Sequence, residues 1–176
     1  MKLVGMLAVL VVALLGGTAR AEKTQKVTAL WSPIHLVLPV VEVEGEFNAA
    51  PHIGAGLILG AGRVSSEDDT VTATVFEVGA QFNYYFLRPF HGLHAGAEAN
   101  YVHAGDVAQD SSLTATGLEL GPYVGYKVLT DIGFTFVAQV GVAFLTLQAE
   151  NSSGTVMPTK PKDVFPLINL NIGWSF

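Results

Sequence analysis

Glu42, Glu44, Glu46, Glu77, Glu98 and Glu119 are the residues whose type and spacing best suit chemistry in this chain. The first three recur at every second position, so an extended backbone puts all three on one face. Gln81, His94, Lys127 and Gln139 fall on the same phase of their own segments. A polar cluster of this kind could draw in cations or relay protons. It could equally be a packed network that fills an interior and fixes strand register. Six carboxylates facing one lysine and one histidine exceed what pairing alone can neutralise.

Other chemistries find less support. The chain has no Cys, which excludes a disulfide scaffold, a thiol nucleophile and an acylated N-terminal cysteine. His35, His52, His91, His94 and His103 show no HExxH or other paired-ligand spacing, so no metal centre and no cofactor is expected. The acids Glu67, Asp68, Asp69, Asp106 and Asp110 lack the spacing of a dedicated Ca²⁺ loop and read as solvated loop tips. Acyl transfer needs a nucleophile, a base and an orienting acid. Serines pair at Ser65-Ser66, Ser111-Ser112 and Ser152-Ser153, and only His103 with Ser111 or Ser112 makes a plausible couple. No catalytic residue is assigned, and the chain is expected not to be an enzyme.

The residues around these groups define the setting. Lys2, the apolar run Leu3 to Leu15 and Ala19-Arg20-Ala21 have the layout of a secretory signal peptide cleaved after Ala21. The run has 13 residues, short of the roughly 20 that a spanning helix needs. Residues 1–21 are therefore expected to be removed, leaving 22–176 as one domain of 155 residues. Lys2 and Arg20 go with the signal, so 15 acidic residues face 7 basic ones. So acidic an exported chain excludes nucleic acid as a partner. Half of the 176 residues are hydrophobic and only 14% are charged, against about a quarter in ordinary soluble domains. The mean hydropathy of +0.44 excludes disorder.

Alternation accounts for the apolar excess. Pro166, Ile168, Leu170, Ile172, Trp174 and Phe176 alternate with smaller or polar residues up to the last position. Phe134–Phe144, Leu118–Val128 and Phe76–Phe86 repeat the pattern, and Ile53–Ala61, Val41–Phe47 and Leu93–Tyr101 follow it less strictly. An eighth strand is expected over about Val27 to Leu36, with Pro33 marking an edge or bulge and its facing open. Short turns near 48–51, 88–91 and 129–131 alternate with longer polar loops near 64–70, 104–114 and 149–163. All long loops therefore leave one rim.

Eight such strands close into an up-and-down antiparallel barrel, because closure removes the exposed edges. A soluble barrel would turn its apolar phase inward and coat the outside with charge, for which 7 basic residues are too few. The polar phase is rich in Gly, Asn, Gln and Glu and suits a cramped lumen. The apolar phase carries the bulk and the aromatics that a lipid-facing band requires. The spacing thus predicts an all-β, eight-stranded transmembrane β-barrel.

On these residues the chain resembles small bacterial outer-membrane β-barrels of the OmpA, OmpX and OmpW type. The resemblance rests on the signal ending at Ala19 and Ala21 and on the closing strand with Leu170, Ile172, Trp174 and Phe176. It implies that this last strand is read by the barrel-assembly machinery. Ala29-Leu30-Trp31-Ser32-Pro33 followed by Val43-Glu44-Gly45-Glu46-Phe47 is also similar to the opening hairpin of uncharacterised small barrels. The resemblance implies a monomer in the Gram-negative outer membrane, in contact with the lipid bilayer and lipopolysaccharide. Its termini would lie in the periplasm and its long loops outside the cell. The expected function is a structural or loop-mediated interaction role in the envelope. A narrow channel for small solutes or cations, and below it a lipid-modifying barrel enzyme, are the alternatives.

Overall fold

Antiparallel ladders join every strand to its chain neighbour in a computed structural model that describes residues 25–37, 40–65, 72–106, 114–150 and 163–176. The strands are β1 (Val27–Trp31), β2 (Val40–Ala50), β3 (Ile53–Ser65), β4 (Thr72–Tyr85), β5 (Gly92–Asp106), β6 (Thr114–Leu129), β7 (Phe134–Glu150) and β8 (Asp163–Ser175). They close in sequence order, β8 pairing with β1, so the described barrel is eight-stranded and up-and-down. The expected signal segment with Ala19 and Ala21 lies outside the described residues. So do the loop acids Glu67, Asp68, Asp69 and Asp110 and the serines Ser66, Ser111, Ser112, Ser152 and Ser153.

The period-two pattern sets which side chains face in. Leu57 is 64% exposed while its neighbour Ile58 is 4% exposed. Their cross-strand partners Gly45 and Ala80, and Glu44 and Gly79, keep the same sides. From Val41 to Phe47, Ala55 to Ala61, Phe76 to Phe86, Leu93 to Tyr101, Leu118 to Val128, Phe134 to Phe144 and Val164 to Trp174, no outward-phase residue is charged. Phe47, Tyr84, Phe86, Phe134 and Trp174 concentrate at the end bearing the short turns, all exposed. Buried side chains are instead mostly polar, among them Thr28, Asn83, His94, Lys127, Thr135 and Asn171. The barrel is polar within and apolar without.

The opening element differs from expectation. The first strand stops at Trp31, not near Leu36, and Pro33–Val37 forms a 3-10 helix. Proline has no N–H for a ladder and its fixed φ suits the first position of a helical turn. The facing that the sequence left open is also resolved: Thr28 and Leu30 point inward, Val27, Ala29 and Trp31 outward. Because β1 is so short, its register with β8 ends at Trp31 opposite Ile172. Above that level β8 runs on to Asp163 without a β1 partner. Ser32 N–H still donates to the Glu42 carbonyl at 3.1 Å, and the 3-10 helix then packs between β2 and β8. Pro166 lies in this free-edged stretch, where a proline is tolerated.

Strand termini at the seam are held by backbone bonds between Lys26, Val27 and Phe176. The Lys26 N–H donates to the Phe176 carbonyl at 2.7 Å, and the Phe176 N–H donates to the Val27 carbonyl at 2.8 Å. Leu170, Ile172, Trp174 and Phe176 lie on the outward phase of this strand and its last residue, and Trp174 meets the Phe134 ring edge-on at 6.4 Å.

Glycine on the inward phase leaves room for its large neighbours. A Cβ at Gly125 would lie 2.6 Å from His94 Nε2 and 2.7 Å from both the Ala138 carbonyl and Gln139 Cγ. Backbone on one side cannot yield as a side chain can, so Gly125→Val overpacks the lumen. The expected cost is about 1–3 kcal/mol, read as a lower urea midpoint of the refolded protein. An unchanged midpoint would mean that this part of the lumen is loosely filled.

Candidate functional site in the barrel lumen

The lumen has three levels. At the end bearing Lys26, Phe176 and the short turns it is plugged. Lys127, fully buried, donates to Glu46 Oε2 at 2.7 Å and to Thr28 Oγ1 at 2.8 Å. Glu46 Oε1 accepts from the Tyr85 hydroxyl at 2.7 Å and from Asn83 Nδ2 at 2.9 Å. The Thr28 hydroxyl meets the Ser175 hydroxyl at 2.8 Å, which in turn meets that of Thr135 at 2.6 Å. From the β4–β5 turn, Phe90 reaches in beneath this network. Its backbone φ of 61° is sparsely populated for a residue with a side chain. Its ring lies 3.4 Å from Lys127 Nζ and 5.9 Å from the Tyr85 ring. The cation thus sits between a carboxylate and an aromatic face.

A second layer crosses the middle. The Tyr123 hydroxyl lies 2.9 Å from Gln81 Oε1 and 2.8 Å from Asn83 Oδ1, a proton shared between two acceptors. Gln81 Nε2 donates to Glu44 Oε1, and Asn171 Nδ2 donates to Glu44 Oε2 at 3.0 Å. Asn169 Nδ2 bridges Glu98 Oε2 at 3.1 Å and Gln139 Oε1 at 3.2 Å. Gln139 Nε2 approaches His94 Nε2 at 3.4 Å, while His94 Nδ1 lies 3.2 Å from the Gly92 carbonyl.

Toward the long loops the lumen opens into a cavity of about 580 Å³. Glu42, Glu44, Glu77, Glu98 and Glu119 line it beside apolar Val40, Ile58, Val75, Val102 and Leu167. The interior here is not packed to completion. The inward phase offers mostly small or β-branched residues beside the carboxyls. Ile34 and His35 of the 3-10 helix form part of its lining. His35 Nε2 lies 3.4 Å from Glu42 Oε2, and Nδ1 lies 2.8 Å from the Ser32 hydroxyl.

Burial pushes the His35 imidazole below its ordinary 6.5, so at neutral pH it is uncharged. The uncharged ring can donate from Nε2 to Glu42 while Nδ1 accepts from Ser32. A lowered folded-state value means that the unfolded segment takes up the proton more readily. Stability from this contact is therefore complete above about pH 6.5 and lost as pH falls through the His35 titration. In an NMR titration the His35 ring should show a midpoint below 6.5. A midpoint above 6.5 would instead indicate an imidazolium paired with Glu42.

All ten polar residues singled out from the sequence lie on the inward side, in three groups. Glu46 and Lys127 meet in the plug. Glu44 with Gln81, and Glu98 with Gln139 and His94, belong to the middle layer. Glu42, Glu77 and Glu119 surround the cavity. Sequence reasoning passed over Tyr85, Tyr123, Asn83, Asn169 and Asn171, although each occupies the polar phase of its strand. It also passed over Phe90, for which the turn gives no periodic signal. His103, the base of the one plausible serine couple, lies on the outward phase of β5 opposite Phe76 and Thr116. Among the described residues no three acidic, imidazole or thiol groups converge to hold a metal ion. No protein-family model, no curated protein and no solved structure matches this chain.

Proposed function

We propose that the chain is an outer-membrane β-barrel of a Gram-negative bacterium. It would be exported through a cleaved signal peptide, finished by the barrel-assembly machinery and embedded as a monomer in the lipid bilayer and its lipopolysaccharide. The observation that carries this reading is the apolar outer face, free of charge along the seven strand segments named above, around a polar interior. Soluble monomers rarely expose an apolar patch beyond a few hundred Å². Apart from the upper edge of β8, against which the 3-10 helix packs, the closed barrel leaves no unpaired ladder edge in lipid, and aromatics at one end suit a membrane interface. Its role is structural, or lies in contacts made by the loop end, as in the small outer-membrane barrels it resembles.

A through-channel is disfavoured by the plug of Lys127, Glu46, Tyr85 and Phe90 across the turn end. The test is to refold the chain into detergent, follow its heat-modifiable migration on a gel, and record from planar bilayers. A folded, bilayer-inserted protein with no conductance steps, both as wild type and as Lys127→Ala, is the expected result. Steady conductance from the wild type would favour the narrow-channel alternative. Recovery of the native protein in the soluble periplasm would overturn the membrane assignment.

A further inference from the structure

The apolar outer face ends on a polar margin toward the long loops. Immediately beyond the charge-free segments, the next outward positions are Arg63, Thr74, His103, Thr116 and Thr146, on five adjacent strands. The ladders show that this margin is level. Arg63 is registered with Thr74, His103 with Phe76 and Thr146 with Leu118, so along the ladders it drops two residues for every two strands. With strands about 4.8 Å apart and a rise of about 3.4 Å per residue, that step slopes by roughly 35°, the tilt of strands in membrane barrels.

Two of the margin residues are bases, and they flank one threonine. Thr74 stands between Arg63 on β3 and Gly105 on β5. The His103 ring leans over Gly105, where a Cβ would lie 3.8 Å from its Nε2. The arginine, the threonine hydroxyl and the imidazole therefore occupy three successive strands of one row. Among the described residues none of the three side chains has a hydrogen-bond or ion-pair partner. The nearest acids by register are Asp106, opposite Ala73 on the other phase, and Glu150, two strands beyond Gly105.

These groups select an anion. A guanidinium presents paired N–H donors, an imidazole one and a hydroxyl another, which together suit an anion with three unsubstituted oxygens. A phosphate monoester has three, a diester only two. Strand spacing sets Arg63 and Gly105 about 10 Å apart, so a phosphate above Thr74 is within reach from both sides. Directly below, Ala61, Phe76 and Tyr101 begin the apolar face. The row thus stands where lipid headgroups meet the barrel.

We propose that Arg63, Thr74 and His103 bind the phosphate monoester headgroup of a membrane lipid, whose acyl chains lie on the apolar face beneath. The proposal rests on the membrane reading above and adds to it one lipid class held at one place on the wall. Arg63 supplies the charge, His103 donates from Nε2, and Thr74 donates its hydroxyl proton to the remaining oxygen.

The full chain, refolded in maltoside micelles, is titrated with dimyristoyl phosphatidic acid, phosphatidylglycerol or phosphatidylcholine, and bound lipid is counted by native mass spectrometry. One phosphatidic acid per barrel should bind, about tenfold or more tighter than either diester lipid. Arg63→Gln combined with His103→Gln should weaken it by about tenfold or more. Arg88→Gln, which removes an exposed arginine from the β4–β5 turn at the opposite end, should leave binding unchanged. Inorganic phosphate in excess should not displace the lipid. If the double variant fails to fold, the wild-type lipid series alone decides. Equal binding of the three lipids, wild-type affinity in the folded double variant, an equal loss in Arg88→Gln, or displacement by inorganic phosphate would overturn the proposal. Flotation with phosphatidylcholine liposomes separates this site from the membrane reading. A chain that floats but does not select phosphatidic acid keeps its membrane assignment and loses the site. A chain that stays in the aqueous fraction loses both.

Discussion

Lys127→Met is expected to destabilise the refolded barrel by about 3–5 kcal/mol, the usual cost of removing one partner from a buried ion pair. Lys127 is wholly inaccessible and Glu46 is 2% exposed, so neither charge can fall back on water in the folded state. Methionine fills much of the volume and keeps the contact with the Phe90 ring, so the loss is not one of packing. What remains is a carboxylate still aimed at an absent ammonium, and a Thr28 hydroxyl that loses the donor at 2.8 Å.

That explanation makes a sharper demand on the double variant. Glu46→Gln added to Lys127→Met removes the stranded charge, while the amide oxygen can still accept from Tyr85 and Asn83. Most of the loss should therefore be recovered, because replacing both partners of a buried pair is often near neutral. The measurement is urea unfolding in lipid vesicles, followed by the fluorescence of Trp31 and Trp174, both on the outer face beside the β1–β8 seam. If the double variant is as unstable as Lys127→Met, the lysine acts through shape or through Thr28, and the charge argument fails.

How much of this was legible in the sequence depends on the range of the forces involved. Facing is a local property of an extended chain: once Leu118, Leu120 and Val124 alternate with Glu119, Gly121 and Tyr123, backbone geometry assigns the sides. The closed order of strands follows the hairpin rhythm in the same way. The short β1 was less accessible. Pro33 signals a break, but whether the chain resumes as strand or turns depends on what β2 and β8 offer it. Within the lumen, pattern put Glu46 and Lys127 on the inner phase without bringing them together. They are 81 positions apart and meet only because the accumulated register of β2 through β6 sets both at the turn end. Phe90 carries no period at all. Its inward position becomes visible only when Lys127 is seen above its ring. The cavity is less visible still, since it arises from side chains that fail to fill a space.

Leu57→Arg carries the second large expected effect, because its sign depends on what surrounds the barrel. Leu57 lies midway along the outward face of β3, flanked across the ladders by Gly45 and Ala80, with nothing but solvent or lipid beyond it. In a bilayer, arginine at this level costs about 2–4 kcal/mol, since the guanidinium must draw water or head groups toward the midplane. In water the same change replaces an exposed leucine by a soluble side chain and shifts stability by no more than about 0.5 kcal/mol. Ala61→Arg is the internal control. It lies two outward positions farther along the strand, next to the native Arg63, where the side chain can reach the interface and the cost falls to roughly 0–1 kcal/mol. Neither substitution touches the lumen network, so a difference between them reports depth and not packing. The expected outcome in vesicle-based urea titrations is a clear loss for Leu57→Arg and a small one for Ala61→Arg. Equal and negligible effects would mean that the apolar coat faces something other than hydrocarbon. The alternating pattern would then describe a barrel whose apolar coat stands in water.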